Sequence, residues 1–167
     1  VNRLTMVACG TAFYACLTAK YWFEKLARIP VEVDIASEFR YREPPVTAGT
    51  MALFVSQSGE TADTLAALRY CRGKADHIVS VTNVAQSSIA RESDLTLPIY
   101  AGVEIGVAST KAFTCQLTVL LIMALSAAQQ RGKLDAQDSK QLLANLQGLP
   151  GIFNAAMANT PQITSVA

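Results

Sequence analysis

The sequence predicts an α/β fold, a doubly wound parallel sheet of five strands flanked by helices. Five short runs are typical of β-strands, and most of them are apolar without alternating with polar residues, which is typical of strands covered by helices on both faces. Helical patterns separate those runs, and neighbouring parallel strands require such crossover connections. The chain has 167 residues, of which 51% are hydrophobic and 16% charged, so a single domain can bury a sizeable core.

The predicted elements follow in regular order along the chain. Strands are predicted over residues 4–9, 31–36, 51–56, 77–82 and 95–99. Helices are predicted over residues 12–28, 60–73, 87–92 and 109–131. The loop "REPPVTAG", residues 42–49, is expected to hold strands two and three apart.

The last part of the chain, residues 135–167, is expected to form C-terminal helices and a tail. Over 135–158 the pattern predicts one or two helices, with "GLPG" at 148–151 as the break between them. Because the first strand begins almost at once, residues 1–167 are expected to be a single domain within a larger chain.

Composition limits the kinds of partner and the cellular compartment that are expected. The formal net charge of +1 gives no electrostatic argument for nucleic acid or an acidic membrane. The four cysteines show no CxxC spacing and lie in apolar surroundings, as reduced core thiols do in a cytoplasmic protein. The run "LTVLLIMALSAA" is shorter than the roughly 20 residues of a membrane span, so a buried helix is expected.

Two polar turns are placed where ligands bind in an open parallel sheet, beyond the carboxyl ends of the strands. "CGTAFY" (9–14) follows strand one and "SQSGET" (56–61) follows strand three. Both precede helices, whose unpaired N–H groups and dipole favour an anion. A third turn, "GVEIGVASTKAF" (102–113), has the same character. Neutral donors would bind a phosphate there, with hydroxyls from Thr11, Ser56, Ser58 and Thr61.

Other interpretations of these residues are weaker. Serine and threonine before a helix are ordinary N-caps, so a purely structural role remains open, although three turns at one end of a sheet argue against it. No turn matches a Rossmann or Walker phosphate loop. The single histidine, His77, has no cysteine or carboxylate cluster nearby, so neither a metal nor a cofactor is expected. Cys9 has no identifiable partner base and is interpreted as a small residue in a tight turn.

Charged residues near the turns are not assigned to catalysis. Glu60 is expected to favour the start of its helix and to point outward. Glu104 lies in a glycine-flanked loop that is not expected to hold it in place, and Lys111 is expected to be exposed. The patch formed by Glu38, Arg40 and Arg42 is interpreted as solvated surface, with a cleft or interface as the alternative.

Four motifs together resemble the glucosamine-6-phosphate synthase family over nearly the whole chain: "CGTAFYA", "KYWFEKLARIPVEVDIASEFRYR", "SQSGETADT" and "EIGVASTKAFTCQL". The chain is similar to the first of two sugar isomerase (SIS) subdomains, which are flavodoxin-like. "SQSGET" alone would indicate only the broader SIS family. The resemblance implies an enzyme that makes D-glucosamine 6-phosphate and L-glutamate from D-fructose 6-phosphate and L-glutamine.

The resemblance also implies a set of substrate-binding residues. Ala12 stands where the family commonly has serine, so a hydroxyl contact is lost there and a backbone N–H or a water is expected to replace it. Contacts with the sugar phosphate are expected from Ser56, Gln57, Ser58 and Thr61, and further sugar contacts from Thr11, Val107 and Ser109.

The implied partners are fructose 6-phosphate or glucosamine 6-phosphate, a glutaminase domain and a second SIS subdomain of the parent chain, and a second copy in a homodimer. In the family, the isomerising glutamate, the ring-opening histidine and the Schiff-base lysine belong to the second subdomain and the C-terminal tail. The chain alone is therefore expected to be inactive. The alternative is an SIS-type phosphosugar sensor, which would not be expected to share "EFRYR" and "EIGVASTKAF".

Overall fold

A computed structural model describes residues 1–106, 109–158 and 160, and its centre is a five-stranded sheet. All neighbouring strands are parallel, in the order β2-β1-β3-β4-β5. The predicted fold class is therefore confirmed. The strands are β1 (Arg3–Ala8), β2 (Val31–Ile35), β3 (Thr50–Ser56), β4 (His77–Thr82) and β5 (Leu95–Pro98).

The central strands are buried on both faces, as their continuous apolar runs predict. Successive side chains of β1 point to opposite faces, so Met6 and Val7 enter different hydrophobic clusters. The register places Met6 beside Val33 of β2 and Leu53 of β3. Two separate cores, one on each face, hold the sheet between layers of helices.

Helices cover the two faces in pairs. Buried residues of α1 and α5 belong to the cluster on one face, and those of α2 and α3 to the cluster on the other. A π-helical turn, Phe23–Ala27, continues α1. The helices are α1 (Gly10–Trp22), α2 (Ala36–Arg42), α3 (Ala62–Cys71), α4 (Ser88–Arg91), α5 (Lys111–Gln130) and α6 (Ala136–Met157).

Two features differ from the sequence-based expectations. Helix α2 was not predicted; with residues 43–49 it carries the chain past β1, which lies between β2 and β3. Its charged side chains stay at the surface, where Arg42 pairs with Asp34 and Glu32. The predicted break at "GLPG" is wrong, because α6 continues through Pro150. A proline inside a helix removes one hydrogen bond and kinks the helix, but the turns on either side can persist.

Helix α5 is a core helix of this fold. It is the one described helix that is long and apolar enough to cross a membrane by length and composition. It packs against α1 and the π-helical turn, however, and its side chains Ala112, Leu120 and Ala124 are fully buried. One face of α5 is therefore buried as predicted, while its other face, which includes Ile122, is exposed.

The cysteines are free thiols, as expected. Cys16 and Cys71 are buried, and burial raises the pKa of Cys71 to about 11 and that of Cys16 further still. Both thiols are therefore protonated and unreactive near neutral pH.

The strand order creates a crevice between β1 and β3. The chain leaves β1 toward β2 on one side and leaves β3 toward β4 on the other, so the connections diverge at this point. A crevice beyond the carboxyl ends of the diverging strands is where ligands bind in such sheets.

Candidate functional site

A cavity of about 400 Å³ lies at the carboxyl ends of β1 and β3, a size typical of small-molecule sites. It brings together seven of the eight predicted site residues. The eighth, Val107, lies outside the described residues. The seven are Thr11, Ala12, Ser56, Gln57, Ser58, Thr61 and Ser109, and the cavity is completed by Cys9, Gly10, Val55, Glu104, Gly106 and Gln116.

The hydroxyls of the "SQSGET" turn form a small network. Ser56 Oγ accepts a hydrogen bond from the Gly59 N–H at 3.0 Å and lies 2.9 Å from Thr61 Oγ1. The two hydroxyls carry one proton each, and their mutual hydrogen bond uses only one of them. One hydroxyl proton is therefore left for a ligand. Thr61 is the more exposed of the two, so it is the better placed to donate.

The glycine of this turn allows a close approach to α4. Gly59 has a φ of +67°, and a Cβ built on it would lie 2.0 Å from Ser87 Oγ and 2.9 Å from Thr82 Oγ1. Its carbonyl accepts a hydrogen bond from the Ile89 N–H at 3.0 Å. Only glycine satisfies both the left-handed backbone and the absence of space.

The glutamate of the turn also binds α4. Glu60 Oε1 accepts a hydrogen bond from the Ser88 N–H at 2.7 Å, at the first residue of that helix. This bond is the main reason why the pKa of Glu60 lies below its ordinary range. Glu60 was expected to act at the start of its own helix, but the structure shows it stabilising a neighbouring one.

The helices α1 and α3, which open on the cavity, differ in their capping from α4 and α6. Ser87 caps α4 and Asp135 caps α6 through side-chain oxygens. In the described structure, neither Cys9 of α1 nor Thr61 of α3 makes a side-chain capping hydrogen bond. The first N–H groups of α1 and α3 are therefore available to an anion in the cavity.

The third predicted anion site is already occupied by the protein's own carboxylate. Glu104 Oε1 accepts hydrogen bonds from the Thr110 N–H at 3.1 Å and the Ala112 N–H at 3.3 Å. Ser109 Oγ donates to Glu104 Oε2 at 3.3 Å. These bonds, that from Thr110 foremost, lower the pKa of Glu104. Because a carboxylate fills the start of α5, an external anion is directed to α1 and α3.

The described residues just before Glu104 are supported by side-chain hydrogen bonds, contrary to expectation. Asn83 Nδ2 donates to the Gly102 carbonyl at 2.6 Å, and Asn83 Oδ1 accepts from the Ala101 N–H at 2.9 Å. Lys111, exposed as predicted, donates to the Val103 carbonyl. Glycine content alone suggested mobility, but side chains that follow β4 and begin α5 make hydrogen bonds with the backbone of residues 101–103.

Sequence reasoning missed Gln116 as a cavity residue. It lies on α5 at the same face as Ala112 and Leu120, and all three are buried. The available signal was a polar residue within an apolar stripe of four-residue spacing.

The remaining candidates lie elsewhere. His77 opens β4 at an exposed position, at the end of the sheet away from the cavity. Across residues 1–106 and 109–158, no group of three or more histidine, cysteine or carboxylate side chains is arranged to hold a metal ion. A larger groove, of about 690 Å³, lies between α5 and the sheet and is lined mainly by apolar residues such as Leu97, Val119 and Met123.

Comparison with known proteins gives a consistent set of relatives. The family model described as "SIS domain" matches residues 1–126. The chain is 58% identical to a glutamine–fructose-6-phosphate aminotransferase (isomerizing) of Bradyrhizobium diazoefficiens, over all of this chain and 28% of that protein. It is 55% identical to the Brucella abortus enzyme of the same name, over 99% of this chain and 27% of that protein. The chain thus spans little more than a quarter of these curated relatives.

Solved structures agree with this similarity. The C-terminal domain of glucosamine-fructose-6-phosphate aminotransferase from Francisella tularensis superposes with a TM-score of 0.95 at 42% identity, over 99% of this chain and 47% of that chain. A glucosamine-6-phosphate deaminase from Thermotoga maritima superposes with a TM-score of 0.71 at 25% identity, over 84% of this chain and 43% of that chain.

Proposed function

The chain belongs to the SIS domain family, and on that premise we propose that it is the sugar-phosphate-binding part of a glutamine–fructose-6-phosphate aminotransferase (isomerizing). One observation carries the proposal: two helices without a side-chain cap at their first residues, α1 and α3, open on one cavity of ligand size within the described structure. The identity of 58% to such an enzyme over all of this chain supports it.

In the proposed site, the phosphate of fructose 6-phosphate or glucosamine 6-phosphate lies at the "SQSGET" turn. Backbone N–H groups at the start of α3 and the hydroxyls of Ser58 and Thr61 would donate to it, with Ser56 supporting Thr61 through their mutual bond. Gln57, Thr11, Val107 and Ser109 would contact the rest of the ligand. Ala12, which is buried, contributes only its backbone N–H.

The parent protein is proposed to make glucosamine 6-phosphate and glutamate from fructose 6-phosphate and glutamine. This chain would bind and orient the sugar phosphate, while residues elsewhere in the parent supply the base and the amine chemistry. The matched Francisella tularensis domain is about twice as long as this chain, which supports a second SIS subdomain as a partner. The greater length of the curated relatives supports a glutaminase domain as another.

Association into a homodimer is part of the proposal. The second half of α6 exposes large apolar side chains along one helix, with Ile152 62% and Phe153 58% exposed, and the apolar groove beside α5 is open. Exposed apolar surface of this kind favours association. Sedimentation velocity tests it: a species of twice the chain mass is expected, and a strict monomer at high concentration contradicts it. A cytoplasmic location is proposed from the reduced cysteines.

Calorimetric titration with fructose 6-phosphate tests the proposed function. Ser58→Ala should weaken binding by about 1–2 kcal/mol, the scale of one hydrogen bond to a charged group. Ser126→Ala, at an exposed position on α5, is the matched control and should leave affinity unchanged. Absence of binding by the unmodified chain, or equal affinity of the Ser58 variant, contradicts the assignment.

A further inference from the structure

One buried polar atom at the cavity, the side-chain oxygen of Gln116, has no hydrogen-bond partner among the described residues. Gln116 is 1% exposed, and its side-chain oxygen makes no hydrogen bond within the part of the chain that the structure describes. The residue nevertheless lines the cavity at the ends of β1 and β3. A buried acceptor without a donor costs free energy, whereas an apolar side chain of similar volume would not. The amide is therefore unexplained by the packing of the free protein.

The position would otherwise favour an apolar residue. Gln116 lies on the buried stripe of α5 at four-residue spacing from Ala112 and Leu120, which are both fully buried. The side chains of Ala112 and Leu120 both belong to the hydrophobic core cluster on this face of the sheet. Gln116 is the polar exception in this stripe, and it lies where the stripe reaches the cavity.

The chemistry of the unpaired atom selects its ligand. A phosphate dianion offers only acceptors, and the N–H groups and hydroxyls at α1 and α3 suit it. The Gln116 carbonyl oxygen is itself an acceptor, so it requires a donor such as a hydroxyl. A phosphorylated sugar carries both kinds of group on one molecule.

We propose that Gln116 is a specificity-determining residue, whose side-chain oxygen accepts a hydrogen bond from a hydroxyl of a phosphosugar bound in this cavity. The inference rests on the proposed function. Gln116 would thereby discriminate a sugar phosphate from phosphate alone, while the turns at α1 and α3 bind the phosphate in either case.

The test compares two ligands and two variants on the full chain. Gln116→Met keeps the volume and removes the amide, and Gln129→Met, exposed near the end of the same helix, is the matched control. Calorimetric titrations with fructose 6-phosphate and with inorganic phosphate give the affinities. We expect Gln116→Met to weaken fructose 6-phosphate binding about tenfold and phosphate binding less than about twofold, and to raise the thermal unfolding midpoint.

The outcomes separate this inference from the proposed function. If Gln116→Met leaves the affinity for fructose 6-phosphate unchanged, this inference alone is overturned, because the amide then makes no bond with the sugar. Equal weakening for both ligands overturns it as well, because the residue would then act on the phosphate. If the unmodified chain binds no fructose 6-phosphate, the proposed function and this inference both fail. Should Gln116→Met not fold, Gln116→Leu provides the same comparison.

Discussion

Replacing Gly59 by alanine should destabilise the fold far more than the same change at Gly10. Both glycines have left-handed backbones, with φ of +67° and +58°, and both precede or open a helix at the cavity. A Cβ at Gly10 meets nothing within 4 Å among the described residues, whereas a Cβ at Gly59 would lie 2.0 Å from Ser87 Oγ and 2.4 Å from Ser87 Cβ. The pair therefore separates backbone strain from steric overlap.

The expected magnitudes follow from these contacts. Left-handed backbone costs an alanine about 1–2 kcal/mol, offset by about 0.4–1 kcal/mol from the less flexible unfolded chain. That leaves Gly10→Ala with a loss of about 0–1.5 kcal/mol. At Gly59 the methyl also displaces Ser87 and Thr82, which are 1% and 0% exposed. Overpacking adds about 1–3 kcal/mol and a weakened hydrogen bond about 1 kcal/mol, for a total of about 2–5.5 kcal/mol.

Urea denaturation of the three proteins measures these free energies of unfolding. A third variant sharpens the test, because Ser87→Gly removes the two nearest atoms and leaves Thr82 Oγ1, 2.9 Å from the new Cβ, as the next nearest. In that background Gly59→Ala should cost less than in the unmodified chain, although more than Gly10→Ala, because Thr82 Oγ1 still lies 2.9 Å from the new Cβ. The reasoning is refuted if Gly59→Ala lies within about 1 kcal/mol of Gly10→Ala, or if Ser87→Gly gives no relief.

Two further predictions concern Glu104. Hydrogen bonds at the start of α5 lower the pKa of Glu104 in the folded protein. Its carboxylate therefore stabilises the fold at pH values above the pKa of the unfolded state. That stabilisation is lost as the pH falls through the pKa of the folded state. The free energies of unfolding of the unmodified chain and of Glu104→Gln should therefore differ more at pH 7 than at pH 3. Glu38→Gln, at an exposed position, is the control. A difference in unfolding free energy that does not depend on pH would contradict this prediction. The chain alone should not convert fructose 6-phosphate to glucosamine 6-phosphate, even with ammonia, because the cavity offers hydroxyls, amides and one weakly basic carboxylate. A product assay on the purified chain tests this expectation. If the chain shows turnover and Glu104→Gln abolishes it, the active site lies in this cavity and the prediction is wrong.

The sheet could be predicted from the sequence because its signals are local. Short runs of β-type residues, most of them apolar without alternation, identified all five strands, and the turns after β1 and β3 converge because parallel strands end at one edge. The continuation of α6 through Pro150 was not predictable by the rule that a proline ends a helix, since the rule describes a tendency and neighbouring turns decide the outcome.

The polar network of the site was only partly predictable. Composition identified the hydroxyls, but it could not show that Glu60 binds the start of α4 or that Glu104 fills the start of α5. Both contacts join segments that only the folded chain brings together. The resemblance to the family supplied residues that chemistry alone would not select, such as Gln57. The sequence did contain a signal for Gln116, since it is a polar residue in an apolar stripe. Only the folded structure shows that this part of the stripe lines the cavity.

A crystal structure of the chain with fructose 6-phosphate tests the central claim most directly. The account predicts the phosphate within hydrogen-bond distance of Ser58 Oγ and of the backbone N–H groups at the start of α3, with Glu104 still bound to the start of α5. A phosphate at the start of α5 in place of the Glu104 carboxylate, or a ligand in the apolar groove beside α5 with the cavity unchanged, would contradict it.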